Sequence, residues 1–108
     1  MAGEGLKGGE MAVVQFNVVP IGTGKTSLSQ YVAHIEKLIR GSGIKSQLTP
    51  MATVLEGELN QIIELILKMH NEVFKLGALR VVTRIDIDDR RDKDLTMDGK
   101  VRSVEDKL

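Results

Sequence analysis

The apolar residues of this chain have strand-like spacing in some segments and helix-like spacing in others. The order of these segments restricts the fold more than any other feature. Four segments have the spacing or composition of β-strands: residues 11–19, 45–49, 52–56 and 80–88. Two longer segments repeat apolar residues every third or fourth position, as amphipathic helices do: residues 28–39 and 58–76. The order βαββαβ predicts a ferredoxin-like α+β fold, in which two helices lie on one face of a four-stranded antiparallel sheet.

The two predicted helices are marked at their ends. Ser27 and Gln30 have the spacing of a capping box, in which each side chain accepts from a free backbone N–H of the first turn. Gly41 or Gly43 can end the first helix, and Gly77 follows the second.

The two ends of the chain differ. Residues 1–10 are polar and rich in Gly, and we expect them to form a disordered extension before one domain of residues 11–108. Near the C-terminus, apolar residues at spacings of four and three predict a short third helix: Val101, Val104 and Leu108.

Composition excludes several classes of function. The 108 residues carry 15 basic and 15 acidic side chains, so no net charge favours nucleic acid or an anionic membrane as a partner. No segment is apolar enough to span a bilayer. Without cysteine there can be no disulfide, thiolate catalysis or cysteine-bound zinc, which fits a cytoplasmic protein.

The predicted fold leaves the second face of the sheet without cover from the chain. We expect that face to be mixed in polarity and to carry Gln15, Asn17, Gln47, Thr49, Val82, Arg84 and Asp86. Such a surface favours a partner or a ligand. We therefore predict a homodimer or homotetramer, built by contacts between sheet faces or sheet edges.

The segment from Leu48 to Glu58 is the strongest candidate for ligand binding. Thr49, Thr53 and Glu56 lie here among apolar residues, and hydroxyls and an acid on a sheet suit a small polar ligand. A structural explanation is also open, because threonine is a good strand former and an acid at a helix start complements the helix dipole.

The segment 20–27 resembles a phosphate-binding loop but lacks its pattern. Gly24 is followed by Lys and Thr between a strand and a helix, yet Val19 stands where the first glycine of the motif belongs. A nucleotide site is therefore not expected. A weaker anion site at the helix start remains open, against the alternative of a plain capped loop: Lys25, Thr26 and Ser27.

No other residues indicate catalysis, a metal or a cofactor. His34 and His70 are isolated and are predicted to be boundary residues. Three carboxylates near the end of the last strand could hold a hard cation: Asp86, Asp88 and Asp89. Nearby arginines are expected to neutralise them instead: Arg84, Arg90 and Arg91.

Three segments resemble the thiamine-binding protein family: Val19-Pro-Ile-Gly-Thr-Gly, Leu48 to Glu58, and Arg80 to Arg90. The resemblance extends from Met11 to Leu108. It implies a βαββαβ domain that assembles as dimers and tetramers and binds thiamine, or its hydroxymethylpyrimidine part, without converting it.

A pocket for thiamine needs an acid near the cationic ring, polar groups at the pyrimidine edge and apolar walls. The residues predicted to bind the ligand are Asn17, Thr49, Thr53, Glu56, Arg84 and Asp86, with Glu56 or Asp86 as counter-charge. The predicted apolar wall is Phe16, Met51 and Met69. Thr53 and Glu56 fall on opposite faces of a regular strand, and a subunit interface could complete the site. The alternative function is a regulatory or oligomerisation module that binds a different small effector.

Overall fold

The computed structural model describes residues 11–24 and 28–108 and contains a four-stranded antiparallel sheet with the order β2-β3-β1-β4. The elements are β1 (Met11–Pro20), α1 (Ser29–Ser42), β2 (Lys45–Leu48), β3 (Thr53–Glu58), α2 (Leu59–Lys75), β4 (Val81–Asp89) and α3 (Met97–Glu105). The predicted ferredoxin-like fold is confirmed. None of the described helices is long and apolar enough to cross a membrane.

The regularly spaced apolar residues of the strands and helices form one continuous core between the sheet and the first two helices. In β1 every second residue, Val14, Phe16 and Val18, points at the helices, because side chains alternate across a strand. From α2 the deepest contributions are Ile62, Ile66, Met69 and Val73, all fully buried.

The end of α1 and the start of α2 are each set by one residue. Gly43 ends α1 with a φ of 77°, a left-handed conformation that glycine adopts without a Cβ clash, and Gly41 lies inside the helix. Glu58 is the residue before α2, and its carboxylate accepts from the backbone N–H groups of Asn60 and Gln61. The predicted capping residue Ser27 and the extension 1–10 lie outside the described residues.

The register of the sheet determines which residues of neighbouring strands lie opposite one another. Thr53 pairs with Phe16 on β1, and Glu56 pairs with Val13. On the other side of β1, Asn17 pairs with Arg84 and Gln15 with Asp86.

The expectation that the second sheet face lacks cover was wrong for the part near β3. Leu95 and Met97, at the start of α3, are buried against Val13 and Val54 on that face. The residues that predicted the third helix remain exposed instead: Val101, Val104 and Leu108. Elsewhere on this face Gln15, Gln47, Arg84 and Asp86 stay exposed.

Candidate functional site

A cleft of about 330 Å³ lies between α1, the end of β1 and the β2–β3 turn. The sheet contributes Phe16 and Thr53, and α1 contributes Val32, Ile35 and Glu36. The remaining described lining is Asn17, Val18, Val19, Leu28, Leu48, Thr49, Pro50, Met51 and Ala52. Small-molecule sites are commonly mostly apolar clefts with a few placed polar groups, and this one has that composition.

The polar centre of the cleft is a hydrogen bond between a strand and a helix. The Thr53 hydroxyl donates to Oε2 of Glu36 at 3.1 Å, and Thr53 is buried. Because this hydroxyl has one proton, the remaining acceptor sites of the carboxylate are open to a ligand donor. A single negative charge thus stands among apolar side chains.

The β2–β3 turn is fixed by its own side chain. The Thr49 hydroxyl donates to the Ala52 carbonyl at 2.7 Å and accepts from the Ala52 N–H at 3.1 Å. Thr49 therefore lies in the turn and not on the second sheet face, where the sequence pattern placed it. The turn holds Leu48 and Met51 at the mouth of the cleft, where they are 57% and 85% exposed.

Asn17 borders two hollows. It lines the cleft, and with Arg84 it also lines a smaller depression on the other face, beside Val19, Ile21 and Val82. Of the predicted apolar wall, Phe16 and Met51 line the cleft, whereas Met69 is fully buried in the core.

Glu56 lies away from the cleft, on the opposite face of β3 from Thr53. It is only 9% exposed, and its Oε1 accepts from the backbone N–H of Met97 at 2.7 Å. Lys45 Nζ lies 3.7 Å from Glu56 and 3.0 Å from Asp98. The hydrogen bond to Asp98, and then the charge of Glu56, raise the pKa of Lys45 above its usual range. Glu56 thus anchors α3 to the sheet.

Arg84 and Asp86 also lie outside the cleft, on the second sheet face. Asp86 accepts from the Gln15 amide at 3.1 Å. Arg84 makes no salt bridge with the described part of the chain, so the expectation that it neutralises the neighbouring aspartates was wrong. The structure therefore gathers Asn17, Thr49 and Thr53 at the cleft and separates them from Glu56, Arg84 and Asp86.

The aspartates at the end of β4 form ion pairs, and the predicted pairing of an aspartate with Arg91 is confirmed. Asp89 accepts two hydrogen bonds from Arg91, and Asp88 is paired with Lys100. Arg90 is hydrogen-bonded to Asp92 and lowers the pKa of that carboxyl to about 2. Among residues 11–24 and 28–108, no three His, Cys, Asp or Glu side chains are grouped as a metal site requires.

Another depression, of about 540 Å³, lies between the end of β4 and α3, and two of its charged groups bind one another. The pair of Lys100 with Asp88 lies in its wall. The two histidines likewise join elements of the fold: His34 Nε2 is 3.3 Å from Glu72, and His70 Nδ1 is 2.6 Å from Thr83. The predicted anion residues, Lys25, Thr26 and Ser27, lie outside the described residues.

Glu36 was missed by the sequence interpretation, although the sequence contains a signal for it. Its position is four residues after Val32 and three before Ile39, so it falls within the inward stripe of α1. An acid on an apolar helix stripe needs a polar partner. Thr53 supplies that partner from β3.

Comparisons with known proteins agree with this architecture. A UPF0045 protein of Bacillus subtilis (YqgV) is 45% identical over 98 residues, which cover 87% of this chain and 94% of the relative. A UPF0045 protein of Methanothermobacter thermautotrophicus is 37% identical over 99 residues, which cover 91% of this chain and all of the relative.

Solved structures extend the agreement to three dimensions. A hypothetical protein from Methanocaldococcus jannaschii (MJ1052) has a TM-score of 0.82 at 30% identity, covering 89% of this chain and 97% of that chain. A Thermotoga maritima protein, described as a candidate thiamine biosynthesis/salvage protein, has a TM-score of 0.76 and covers 87% of this chain and 98% of its own. Its identity of 24% supports the fold alone.

The family model described as "Thiamine-binding protein" matches residues 14–105, which include most of β1 and all of the later strands and helices. Together with the relatives above 30% identity, this match is decisive: the chain belongs to the thiamine-binding protein family.

Proposed function

We propose that this protein binds thiamine, or its hydroxymethylpyrimidine part, in the cleft between α1 and the β2–β3 turn. The observation that carries the proposal is the Glu36–Thr53 pair, a single acid held by a buried hydroxyl inside an apolar cleft of about 330 Å³. Family membership supplies the ligand class. A cytoplasmic location and a homo-oligomeric state remain predictions from the sequence.

The chemistry of the cleft matches the two halves of thiamine. The Glu36 carboxylate can accept from the exocyclic amine of the pyrimidine or lie beside the cationic thiazolium ring. Phe16, Val32 and Ile35 offer apolar surface to flat rings. Met51, exposed in the free protein, can close over the bound ligand.

The proposed role is that of a carrier or sensor, without conversion of the ligand. Glu36 is the single ionisable side chain among the described residues that line the cleft. General acid–base reactions use a positioned group at each proton transfer, and reactions that pass through a covalent intermediate need an activated nucleophile. Binding requires neither.

Calorimetric titration with thiamine and with hydroxymethylpyrimidine tests the proposal. Glu36→Gln keeps the shape of the side chain and removes its charge, so thiamine affinity should fall by tenfold to a hundredfold, as for loss of about 1.5–3 kcal/mol from a charged hydrogen bond. Glu64→Gln on α2, an exposed position, is the matched control and should leave affinity unchanged.

The two ligands separate the possible contacts of Glu36. If the carboxylate lies beside the thiazolium, the variant should weaken thiamine binding and spare the uncharged pyrimidine. If it binds the exocyclic amine, both affinities should fall together. Absence of heat and of any thermal shift with millimolar ligand would reject the proposal and favour the regulatory module.

A further inference from the structure

The polar side chains of the cleft offer hydrogen-bond acceptors to a ligand rather than donors. A carboxylate such as that of Glu36 has no proton to donate. The Thr53 hydroxyl gives its proton to Oε2 of Glu36, and the Thr49 hydroxyl gives its proton to the Ala52 carbonyl. Both hydroxyls therefore keep only lone pairs for another partner.

Asn17 is the one other described lining residue whose side chain has an N–H group, and it is directed elsewhere. It lies between Phe16 and Val18, which both point at the helices, and side chains alternate across a strand. Its amide is therefore on the second sheet face, where it borders the depression that contains Arg84, and its main chain borders the cleft. Among residues 11–24 and 28–108, the side chains that reach into the cleft thus present acceptors alone.

These acceptors lie on the floor of the cleft, which the sheet forms. Thr53 and Phe16 are 6% and 3% exposed, whereas Leu48 and Met51 at the mouth are largely exposed. An acceptor that a ligand covers loses its water, which costs free energy unless the ligand supplies a donor. The part of a ligand that reaches the floor therefore has to carry an N–H or O–H group.

The two rings of thiamine differ in what they can donate. The aminopyrimidine has an exocyclic amine with N–H donors, whereas the thiazolium ring has no N–H group. A permanent cation also loses more hydration on burial than a neutral ring does. The pyrimidine therefore suits the floor, and the thiazolium suits the mouth beside Leu48 and Met51.

We infer that the Glu36–Thr53 pair makes the cleft specific for pyrimidines with an exocyclic amine, against those with oxygen in its place. This specificity rests on the proposed function, and it narrows the ligand class to one functional group. The amine donates to the open acceptor sites of Glu36. An oxo pyrimidine presents a carbonyl at the same place, so two acceptors face each other and neither is satisfied. Its remaining donor, the ring N–H beside the carbonyl, reaches Glu36 only if the ring shifts from the position that the amine sets.

Thr53 is a positioning residue in this arrangement. Its buried hydroxyl holds Oε2 of Glu36 at 3.1 Å, so a group on the sheet directs a carboxylate that comes from a helix. An acceptor with a fixed direction discriminates between ligands better than one that can turn away from a carbonyl.

Calorimetric titration with three uncharged pyrimidines tests this specificity. The first is hydroxymethylpyrimidine, the second is its oxo analogue, in which oxygen replaces the exocyclic amine, and the third is its deamino analogue, in which hydrogen replaces that amine. None of them contains the thiazolium, so net charge plays no part in the comparison. Both analogues should bind about tenfold to a hundredfold more weakly than hydroxymethylpyrimidine, because each leaves an acceptor of the cleft unpaired.

Glu36→Gln separates specificity from general damage to the cleft. An amide can accept through its oxygen or donate through its nitrogen. The variant should bind hydroxymethylpyrimidine more weakly than the wild type does, and the oxo analogue more tightly, so that the two affinities come within about threefold of each other. A gain in affinity cannot come from a lost fold. Glu64→Gln, at an exposed position on α2, is the matched control and should keep the wild-type ratio.

Two substitutions at Thr53 test its positioning role. Thr53→Val keeps the branched shape of the side chain and removes the hydroxyl, so Glu36 is free to turn. The affinity for hydroxymethylpyrimidine should fall, and the ratio between this ligand and the oxo analogue should narrow. Thr53→Ser restores the hydroxyl and should restore the ratio, whereas a merely structural role would change both affinities by the same factor. Circular dichroism checks the fold of each variant.

Three results would overturn this specificity while the proposed function stands. They are equal wild-type affinities for hydroxymethylpyrimidine and its oxo analogue, no rise in oxo affinity for Glu36→Gln, and an unchanged ratio for Thr53→Val. Absence of binding for both thiamine and hydroxymethylpyrimidine is a different result, because it would reject the proposed function itself and the specificity with it.

Discussion

At the scale of single residues, Glu56 shows how an acid on a sheet can serve the fold. Its carboxylate accepts from the Met97 N–H at the start of α3 and lies beside Lys45. Glu56→Ala should lower the free energy of unfolding by about 1–3 kcal/mol, because it leaves a buried N–H without an acceptor. Urea unfolding measures this loss. Thiamine affinity should stay unchanged, since Glu56 lies on the face opposite Thr53.

Glu56→Gln separates the acceptor from the charge. The amide oxygen can still accept from Met97, so this variant should lose less stability than Glu56→Ala. Glu105→Ala, at the exposed end of α3, should be close to neutral. Lower thiamine affinity for Glu56→Ala at unchanged stability would contradict the structural role and return Glu56 to the ligand site.

Single residues also show what a sequence pattern can and cannot predict. Strand alternation correctly predicted that Thr53 and Glu56 point in opposite directions. It could not predict that Glu36, seventeen positions before Thr53, would reach it from a helix. That contact depends on how α1 lies across the sheet, which is a property of packing and not of local period.

At the scale of elements, the end of α1 gives a matched pair of substitutions. Gly43 has a φ of 77°, so Gly43→Ala should reduce stability by about 1–2 kcal/mol through left-handed strain. Gly41 is helical, and an added Cβ would meet nothing within 4 Å. Gly41→Ala should therefore raise stability by up to about 1 kcal/mol. Chemical unfolding of both variants measures the difference. Equal effects would show that the helix ends before Gly41.

The third helix was predicted from residues that turned out not to pack. Spacing alone indicated a helix near Val101 and Val104, and α3 is there. The contacts with the sheet come instead from Leu95 and Met97, before and at its first residue. A stripe of regularly spaced apolar residues predicts that a helix forms. How α3 packs on the sheet depends instead on Leu95, on Met97 and on the hydrogen bond from Met97 to Glu56.

At the scale of the whole molecule, the order of strand-like and helix-like segments was enough to predict the fold. Each strand and helix was predicted within a few residues, because their core faces follow regular spacings. The cleft was harder to predict, since it joins β1, α1 and the β2–β3 turn, three segments that meet only after the sheet has formed. Its threonines were found, and its acid was not.

The same architecture places Glu36 in the cleft on the helix side of the sheet, whereas Gln15 and Asp86 lie exposed on the second sheet face. We therefore expect ligand binding and any assembly through that second face to be separable. Glu36→Gln should weaken thiamine binding and keep the wild-type mass in sedimentation. Independence is expected because distant sites without shared partners rarely couple. If Glu36→Gln instead changed the mass while its circular dichroism stayed native, a second copy would have to contact the cleft, and the ligand site would belong to the assembly.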